Sequence, residues 1–503
     1  VSSSRSRALL AGLVSGLLFA LAFPPLEWVA LLPLAPVPWL VALHGETRRL
    51  RAVLSGVLFG LAYWCASIPW IYHVVTRFGG QNGLMGVVCV FLLAAILAEW
   101  PALVALGVSF SAPAGSPWRL ALFPLFWAAA EHARSYVYGG FPWNLTGFAL
   151  YRHPVWLQTA SVWGVYGVGF LVMSVAALIA AGIGSRRRTS FASAALLVLV
   201  TGLVGAVRLG KGSPAGPGVT AALVQPGIAQ EVRLDAKTAT ENYVAVIRQA
   251  REAAGSGVGL VVLPESALPV YWDLSPSLRQ DLTAVAAECR CPVLFNDIET
   301  VPGGTYFNVA RLATSEGLTG SAYRKVHLVP FGEYVPLPRL FFFVRQVSTE
   351  IGEFSAASSP AVLEGGGFRL GMGVCYEITY DAVAREETAN GANLLATISN
   401  DSWYGRAGAQ PQHFAAAVLR AVENGRFLVR AAITGLTGAV DDRGRILGEL
   451  PVDRKGTLVA SVRLVTATTA WTRWGYLLPL AADVAAGSVL LFGVLRSLRR
   501  RHA

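Results

Sequence analysis

The chain has 503 residues, 54% hydrophobic and only 14% charged, with a formal net charge of +11. Soluble domains carry about 25% charged residues, so this composition excludes a chain that faces water throughout. The basic runs "SRRRTS" and "RSLRRRHA" flank apolar stretches, which favours contact with anionic lipid over nucleic acid as the source of the positive balance.

Apolar stretches of about twenty residues, each enough to cross a hydrocarbon core of ~30 Å, recur from the start of the chain. Eight spans are predicted, at about 8–24, 27–44, 52–74, 84–109, 119–137, 162–184, 189–207 and 475–495. The second carries Pro33, Pro36 and Pro38; the fifth carries Glu131, His132 and Arg134 near its end. The first ends in "FALAFPPL" and runs into more apolar chain, so it reads as a retained helix rather than a signal peptide. Arg5 and Arg7, Arg48 to Arg51, Arg119, Arg186 to Arg188 and Arg496 to Arg501 fall in alternate loops or ends. The positive-inside rule then puts both termini in the cytoplasm and the segment of about 208–474 outside. Residues 1–210 are predicted as a bundle of seven spans, 218–465 as an outer domain and 475–495 as a final span.

After the linker "GKGSPAGPG" the pattern changes. "VTAALVQP", "GLVVLPES" and "CPVLFND" read as buried strands, with the helices "AKTATENYVAVIRQAREAA" and "SPSLRQDLTAVAAEC" between them. Hairpin strands follow over "TYFNVARLATSEGLTGSAYRKV", then a strand "FRLGMGVCY", a helix "YDAVAREETANG" and a strand "NLLATISND". A helix "QPQHFAAAVLRAVENG" precedes the closing strands through "GTLVASVRL". Such alternation predicts an α/β layered domain.

Of five cysteines, Cys65 and Cys89 fall in spans and are expected as small buried hydrophobes. Cys289 and Cys291 read as too close for an easy disulfide, and no histidine stands near enough to complete a zinc site. Cys375 is left as a free thiol at the end of "LGMGV". Glu265 likewise follows a strand, in "LVVLPES", and Lys325 follows another, in "YRKV". Ligands in α/β domains bind beyond the carboxyl ends of strands. Taken singly, the carboxylate suits a solvated ion pair, the lysine a surface base and the thiol a packed core group. Together they supply a base, a cation to hold an oxyanion, and a nucleophile for an acyl carbon.

These segments resemble the nitrilase, or carbon-nitrogen hydrolase, superfamily, which uses a Glu-Lys-Cys triad in an αββα sandwich. "LVVLPESALP", "YRKVHLVPFGEYVP", "GVCYEITY" and "ISNDSWYG", with "GGFPWNLTGFAL" (139–150) and the helical bundle, are similar to its membrane-bound apolipoprotein N-acyltransferase branch over nearly the whole chain. The resemblance implies that Glu265 is the general base, Lys325 the third triad member and Cys375 the nucleophile. It implies support from Glu333, Tyr376 and Glu377, with Trp403 and Tyr404 walling the substrate pocket; His327 is expected to be structural. The implied partners are a phospholipid acyl donor, a diacylated lipoprotein acceptor and the bilayer, with no cofactor, no metal and no nucleic acid. The acyl chain would pass through a Cys375 thioester in a ping-pong sequence. Leu234 and Ile433 depart from residues common in that branch, Trp and Asn respectively. The rival expectation is a membrane-tethered amidase passing the acyl group to water; a transport or lipid-binding protein is a further rival, disfavoured by the complete triad. The apolar stretch "PLPRLFFFVRQVS" (336–348) reads either as a lid dipping into the interface or as core.

Overall fold

The computed structural model describes residues 2–335 and 354–502, so the stretch 336–348 lies outside the described residues. Two compact units form: Val1–Val75, Asn82–Gly212 and Trp474–Ala503 make the first, and Thr76–Gln81 with Ser213–Arg473 the second.

The first unit is helical: α1 (Ser2–Ala20), α2 (Val37–Gly45), α3 (Arg49–Ser67), α4 (Trp70–His73), α5 (Gly83–Leu97), α6 (Glu99–Ser111), α7 (Trp118–Arg134), α8 (Pro154–Leu157), α9 (Ala160–Ser185) and α10 (Arg188–Gly210), with the C-terminal helix Leu477–His502. Among the described residues 5 helices are long and apolar enough to cross a membrane: Arg49–Ser67, Gly83–Ser111, Ala160–Ser185, Arg188–Gly210 and Leu477–Arg499. The span expected over 27–44 is not one helix. A 3-10 turn, Val29–Leu31, and the 9-residue α2 occupy it, because Pro33, Pro36 and Pro38 remove ladder donors and bend the chain. The apolar part of α1, Arg7–Ala20, is a shorter helix, and α7 has 17 residues with Pro124 inside it; both fall below the ~20 residues of a perpendicular crossing.

Close helix contact rests on glycines four residues apart. A Cβ on Gly12 or Gly16 of α1 would overlap the carbonyl oxygen of Ser55 or Phe59 on α3, so the two backbones touch. Trp39 fills the space beside them, its Nε1 donating to Ser55 Oγ at 2.9 Å and its ring stacked 4.7 Å from that of Phe59. Cys65 and Cys89, expected to be buried, are exposed and half-buried; both lie on helices whose length and apolar composition suit a membrane crossing, where an outward face need not be polar.

The second unit runs β1 (Gly218–Gln225), α11 (Gln230–Leu234), α12 (Ala239–Ala253), β2 (Leu260–Val262), α13 (Pro276–Cys289), β3 (Val293–Val301), β4 (Thr305–Thr314), β5 (Gly317–Arg324), β6 (Leu363–Gly365), β7 (Phe368–Val374), α14 (Asp381–Ala389), β8 (Leu394–Ser399), α15 (Ala409–Asn424), β9 (Leu428–Ala432), β10 (Thr437–Val440), β11 (Ile446–Leu450), β12 (Gly456–Arg463) and the short α16 (Ala470–Trp474). The strands form two six-stranded sheets, β12-β1-β2-β3-β4-β5 and β11-β10-β9-β8-β7-β6. In each, three central strands are parallel (β1, β2, β3 and β7, β8, β9) and the rims antiparallel. Alternate side chains explain the layering. Leu223 and Val262 join Met372, Ile398 and Val429 between the sheets, while Ala222, Val224 and Val261 face α12 and α13. With α14 and α15 packed on the second sheet, this is the nitrilase-type αββα sandwich.

One expectation fails here. Cys289 and Cys291 form a disulfide with Cα atoms 5.2 Å apart. Arg290 ends α13 in the left-handed region, φ 54°, and this turn brings the two sulfurs together.

Candidate active site

The second unit brings the predicted polar residues to one end of its parallel strands. Glu265 lies just beyond β2, Lys325 directly follows β5 and Cys375 directly follows β7. All three are buried, with 6%, 1% and 6% of their surface exposed, so their charges must be answered by neighbours rather than by water.

Lys325 is answered twice. Its Nζ donates to Glu333 at 2.9 Å and lies 3.8 Å from Glu265 Oε1. Asn308, on β4, ties the two carboxylates together: its Nδ2 donates to Glu265 Oε1 at 3.1 Å and to Glu333 Oε1 at 3.0 Å. Glu265 Oε2 accepts from the Asn400 backbone N–H at 2.9 Å, and Glu333 Oε2 from that of Val329 at 2.8 Å. Burial alone would lower the lysine's pKa; Glu333 and Glu265 outweigh it and hold the ammonium charged, above its ordinary range.

Cys375 has φ 56°, a left-handed conformation that a non-glycine residue adopts only under constraint. Two devices supply the constraint. Glu377, two residues on, accepts from the backbone N–H groups of Val374 at 3.1 Å, Val326 at 2.7 Å and His327 at 3.0 Å, fastening the cysteine turn to the lysine loop. On the other side His413 Nε2 lies 2.9 Å from the Cys375 carbonyl oxygen. That oxygen only accepts, so Nε2 carries the proton. Burial and the charge of Arg430 lower the His413 pKa against the opposing pull of Asp401, and Nδ1 lies 3.0 Å from Asp401 Oδ1 and 3.1 Å from Arg430 Nη2. Arg430 also pairs with Asp401 at 2.6 Å, and Ser399 Oγ donates to Asp401 at 2.6 Å.

Burial, then the Glu265 charge, push the Cys375 thiol well above its ordinary pKa, against the pull of Lys325 and of a hydrogen bond from Ser399. At neutral pH the resting group is a thiol.

Glu333, Glu377 and Tyr376 lie in this assembly. Tyr376 meets Tyr380 edge-on at 5.5 Å, and His327 stacks on Tyr380 with centroids 3.9 Å apart. Tyr404 is buried, while Trp403 is half-buried and meets the Phe78 ring at 5.1 Å. Ile433 is buried, its backbone donating to the Ser399 carbonyl at 3.2 Å. Asn308, Asp401, His413 and Arg430 were not singled out from sequence. His413 sits in the amphipathic "QPQHFAAAVL", where one imidazole among apolar residues looks like core, and Arg430 lies inside a strand. Among the described residues no cluster could hold a metal ion.

Residues 15–178 match the model of the apolipoprotein N-acyltransferase N-terminal domain, and residues 220–471 that of carbon-nitrogen hydrolase. The apolipoprotein N-acyltransferase of Geobacter metallireducens is 34% identical, aligned over 93% of this chain and 92% of its own. That of Methylococcus capsulatus is 30% identical over 99% and 97%. A carbon-nitrogen hydrolase from Helicobacter pylori G27 overlays 49% of this chain and 90% of its own, at 19% identity and a TM-score of 0.38. With both domain models matched in order and relatives aligned along nearly its full length, the chain belongs to the apolipoprotein N-acyltransferase family.

Proposed function

We propose that this protein is a phospholipid-dependent apolipoprotein N-acyltransferase in which Glu265, Lys325 and Cys375 carry the chemistry. The observation that supports these roles best is the buried Lys325 held charged between Glu265 and Glu333 while Cys375 rests as a neutral thiol.

In the first half-reaction Glu265 takes the Cys375 proton and the sulfur attacks the ester carbonyl carbon of a phospholipid. The Lys325 ammonium offsets the charge developing on the carbonyl oxygen. Collapse breaks the ester C–O bond; the departing oxygen takes the proton from Glu265, leaving a lysophospholipid and an S-acyl thioester. In the second half the α-amine of a diacylglyceryl-cysteine lipoprotein attacks the thioester carbon and passes a proton to Glu265. The C–S bond breaks, the sulfur recovers that proton, and an amide is released. Glu333 holds Lys325; Glu377 and Tyr376 support the cysteine turn; Trp403 and Tyr404 wall the acyl or headgroup pocket. Burial of the reacting groups keeps water from the thioester. Lipid-anchored substrates leave a bilayer at a cost of about 0.8 kcal/mol per CH₂, which suits an enzyme carried on membrane helices.

The proposed topology has a multi-pass helical domain over 1–210, a catalytic domain over 218–465 on the extracytoplasmic side, a final span over 475–495, and both termini in the cytoplasm. Full-length protein in detergent, given phospholipid and a diacylated lipopeptide, is expected to yield triacylated lipopeptide plus lysophospholipid, and Cys375→Ala to yield neither. Release of free fatty acid with no lipopeptide product would replace this reading with that of an amidase-type hydrolase.

A further inference from the structure

Of the five long apolar helices, α10 is the least covered by protein: only 11% of its apolar window is buried. A groove of about 670 Å³ runs between it and α9. Its walls are Val175 and Ile179 on one side and, on the other, a face of α10 made shallow by Ala194, Ala195 and Gly202. At one end the Phe191 ring seats against Gly182, where a Cβ would lie 2.6 Å from it; farther along the Trp156 ring seats against Gly202, with a Cβ 2.9 Å away. The first contact spaces α9 from α10 and the second spaces α8 from α10, and between them the α10 wall is Ala194, Ala195, Val198 and Leu199. The α10 lining runs from Phe191 to Ala206, ~22 Å at ~1.5 Å per residue, somewhat more than the ~15 Å of one leaflet's share of a ~30 Å core. A single hydrocarbon tail can therefore lie in it for most of its length.

The Phe191 end opens at the turn joining α9 to α10. There Arg186, Arg187 and Arg188 stand exposed, in a chain whose lining residues are otherwise uncharged. Three guanidinium groups beside a tail-sized trough match a lipid that is anionic at its head, since arginine forks a phosphate.

We propose that the α9–α10 groove binds one acyl chain of an anionic phospholipid whose phosphate is held by Arg186, Arg187 and Arg188. The site lies in the first unit and is separate from the acyl-transfer chemistry, so it stands or falls independently of the reading given above.

Full-length protein, delipidated in detergent, is titrated with phosphatidylglycerol or phosphatidylcholine of matched chains and read by native mass spectrometry. One phosphatidylglycerol should bind about tenfold more tightly than phosphatidylcholine, the scale expected of paired basic residues near a headgroup. Arg187→Gln with Arg188→Gln should level the two lipids, and Ala195→Phe with Val198→Phe should abolish the tight lipid. Phosphatidylglycerol with a photoreactive tail should label wild-type peptides within 175–206, a readout that needs no variant to fold. Equal affinity for both lipids overturns the headgroup assignment. Labelling confined to other helices, or undiminished binding by the filled variant, overturns the groove.

Discussion

Glu333→Gln separates the charge beside Lys325 from the shape of its pocket. Glutamine keeps one oxygen able to accept from Nζ and Asn308, so what is lost is the negative charge at 2.9 Å and the acceptor for the Val329 N–H; Glu265 remains at 3.8 Å. Breaking a buried pair costs about 3–5 kcal/mol. The remaining carboxylate and the 13% exposure of the Glu333 side chain argue for less, about 2–3 kcal/mol. For a unit of this size that lowers the unfolding midpoint by about 5–10 °C. The same change leaves the surroundings of Cys375 one unit more positive. Removing a negative charge bonded to Lys325 favours the thiolate and so lowers the Cys375 pKa. The variant should therefore react with iodoacetamide at Cys375 faster than wild type at pH 7.5 while its acyl transfer falls. Thiol reactivity and turnover thus move in opposite directions. Alkylation that slows, or stays unchanged while transfer falls, would refute the electrostatic reading of the Lys325 clamp.

In the wild type, alkylation of Cys375 should keep rising from pH 7 past 9 without a plateau, because burial and Glu265 hold its pKa above the ordinary value; a plateau below pH 8 would contradict that. His413→Ala removes the donor to the Cys375 carbonyl. It should cost about 1–3 kcal/mol and lower acyl transfer about a hundredfold, with partial rescue in His413→Gln, whose amide can donate. The His413 pKa lies below its unfolded value of ~6.5, so the unfolded chain takes up the proton first. Its contribution to stability is present above that pH and lost as pH falls from ~6.5 through the folded pKa; denaturant midpoints across pH 5–7.5 should fall toward acid in wild type and less in His413→Gln. Joint replacement of Cys289 and Cys291 by serine opens a very short loop, so thermal unfolding should register a loss of about 1–2 kcal/mol, with acyl transfer within about twofold of wild type.

The α/β half was legible because its strands are short apolar runs that end at chemistry-bearing residues. Glu265 and Cys375 announce themselves by following such a run, Lys325 by following the less apolar hairpin strand β5, and the layers follow from strands buried on both faces. What escaped were contacts made at a distance in sequence. Asn308 bridges carboxylates 43 and 25 residues away, and His413 reaches a carbonyl 38 residues away; no local pattern encodes either. The Cys289–Cys291 bond turns on the left-handed Arg290, a backbone state that arginine does not advertise. In the helical half hydropathy locates apolar chain well, yet it overlooks what prolines do to 27–44 and what Gly12 and Gly16 do for contact with α3. The assignment of Thr76–Gln81 to the second unit, with Phe78 against Trp403 and Arg77 paired to Glu231 at 2.8 Å, likewise has no signature in composition.

The most direct measurement is the intact mass of the full-length protein after incubation with a phospholipid of defined chain length and no acceptor. One fatty acyl increment should appear, map to Cys375, be released by neutral hydroxylamine, and disappear when a diacylated lipopeptide is added. An increment on another residue, or none in protein that still acylates the lipopeptide, would contradict a covalent route through Cys375.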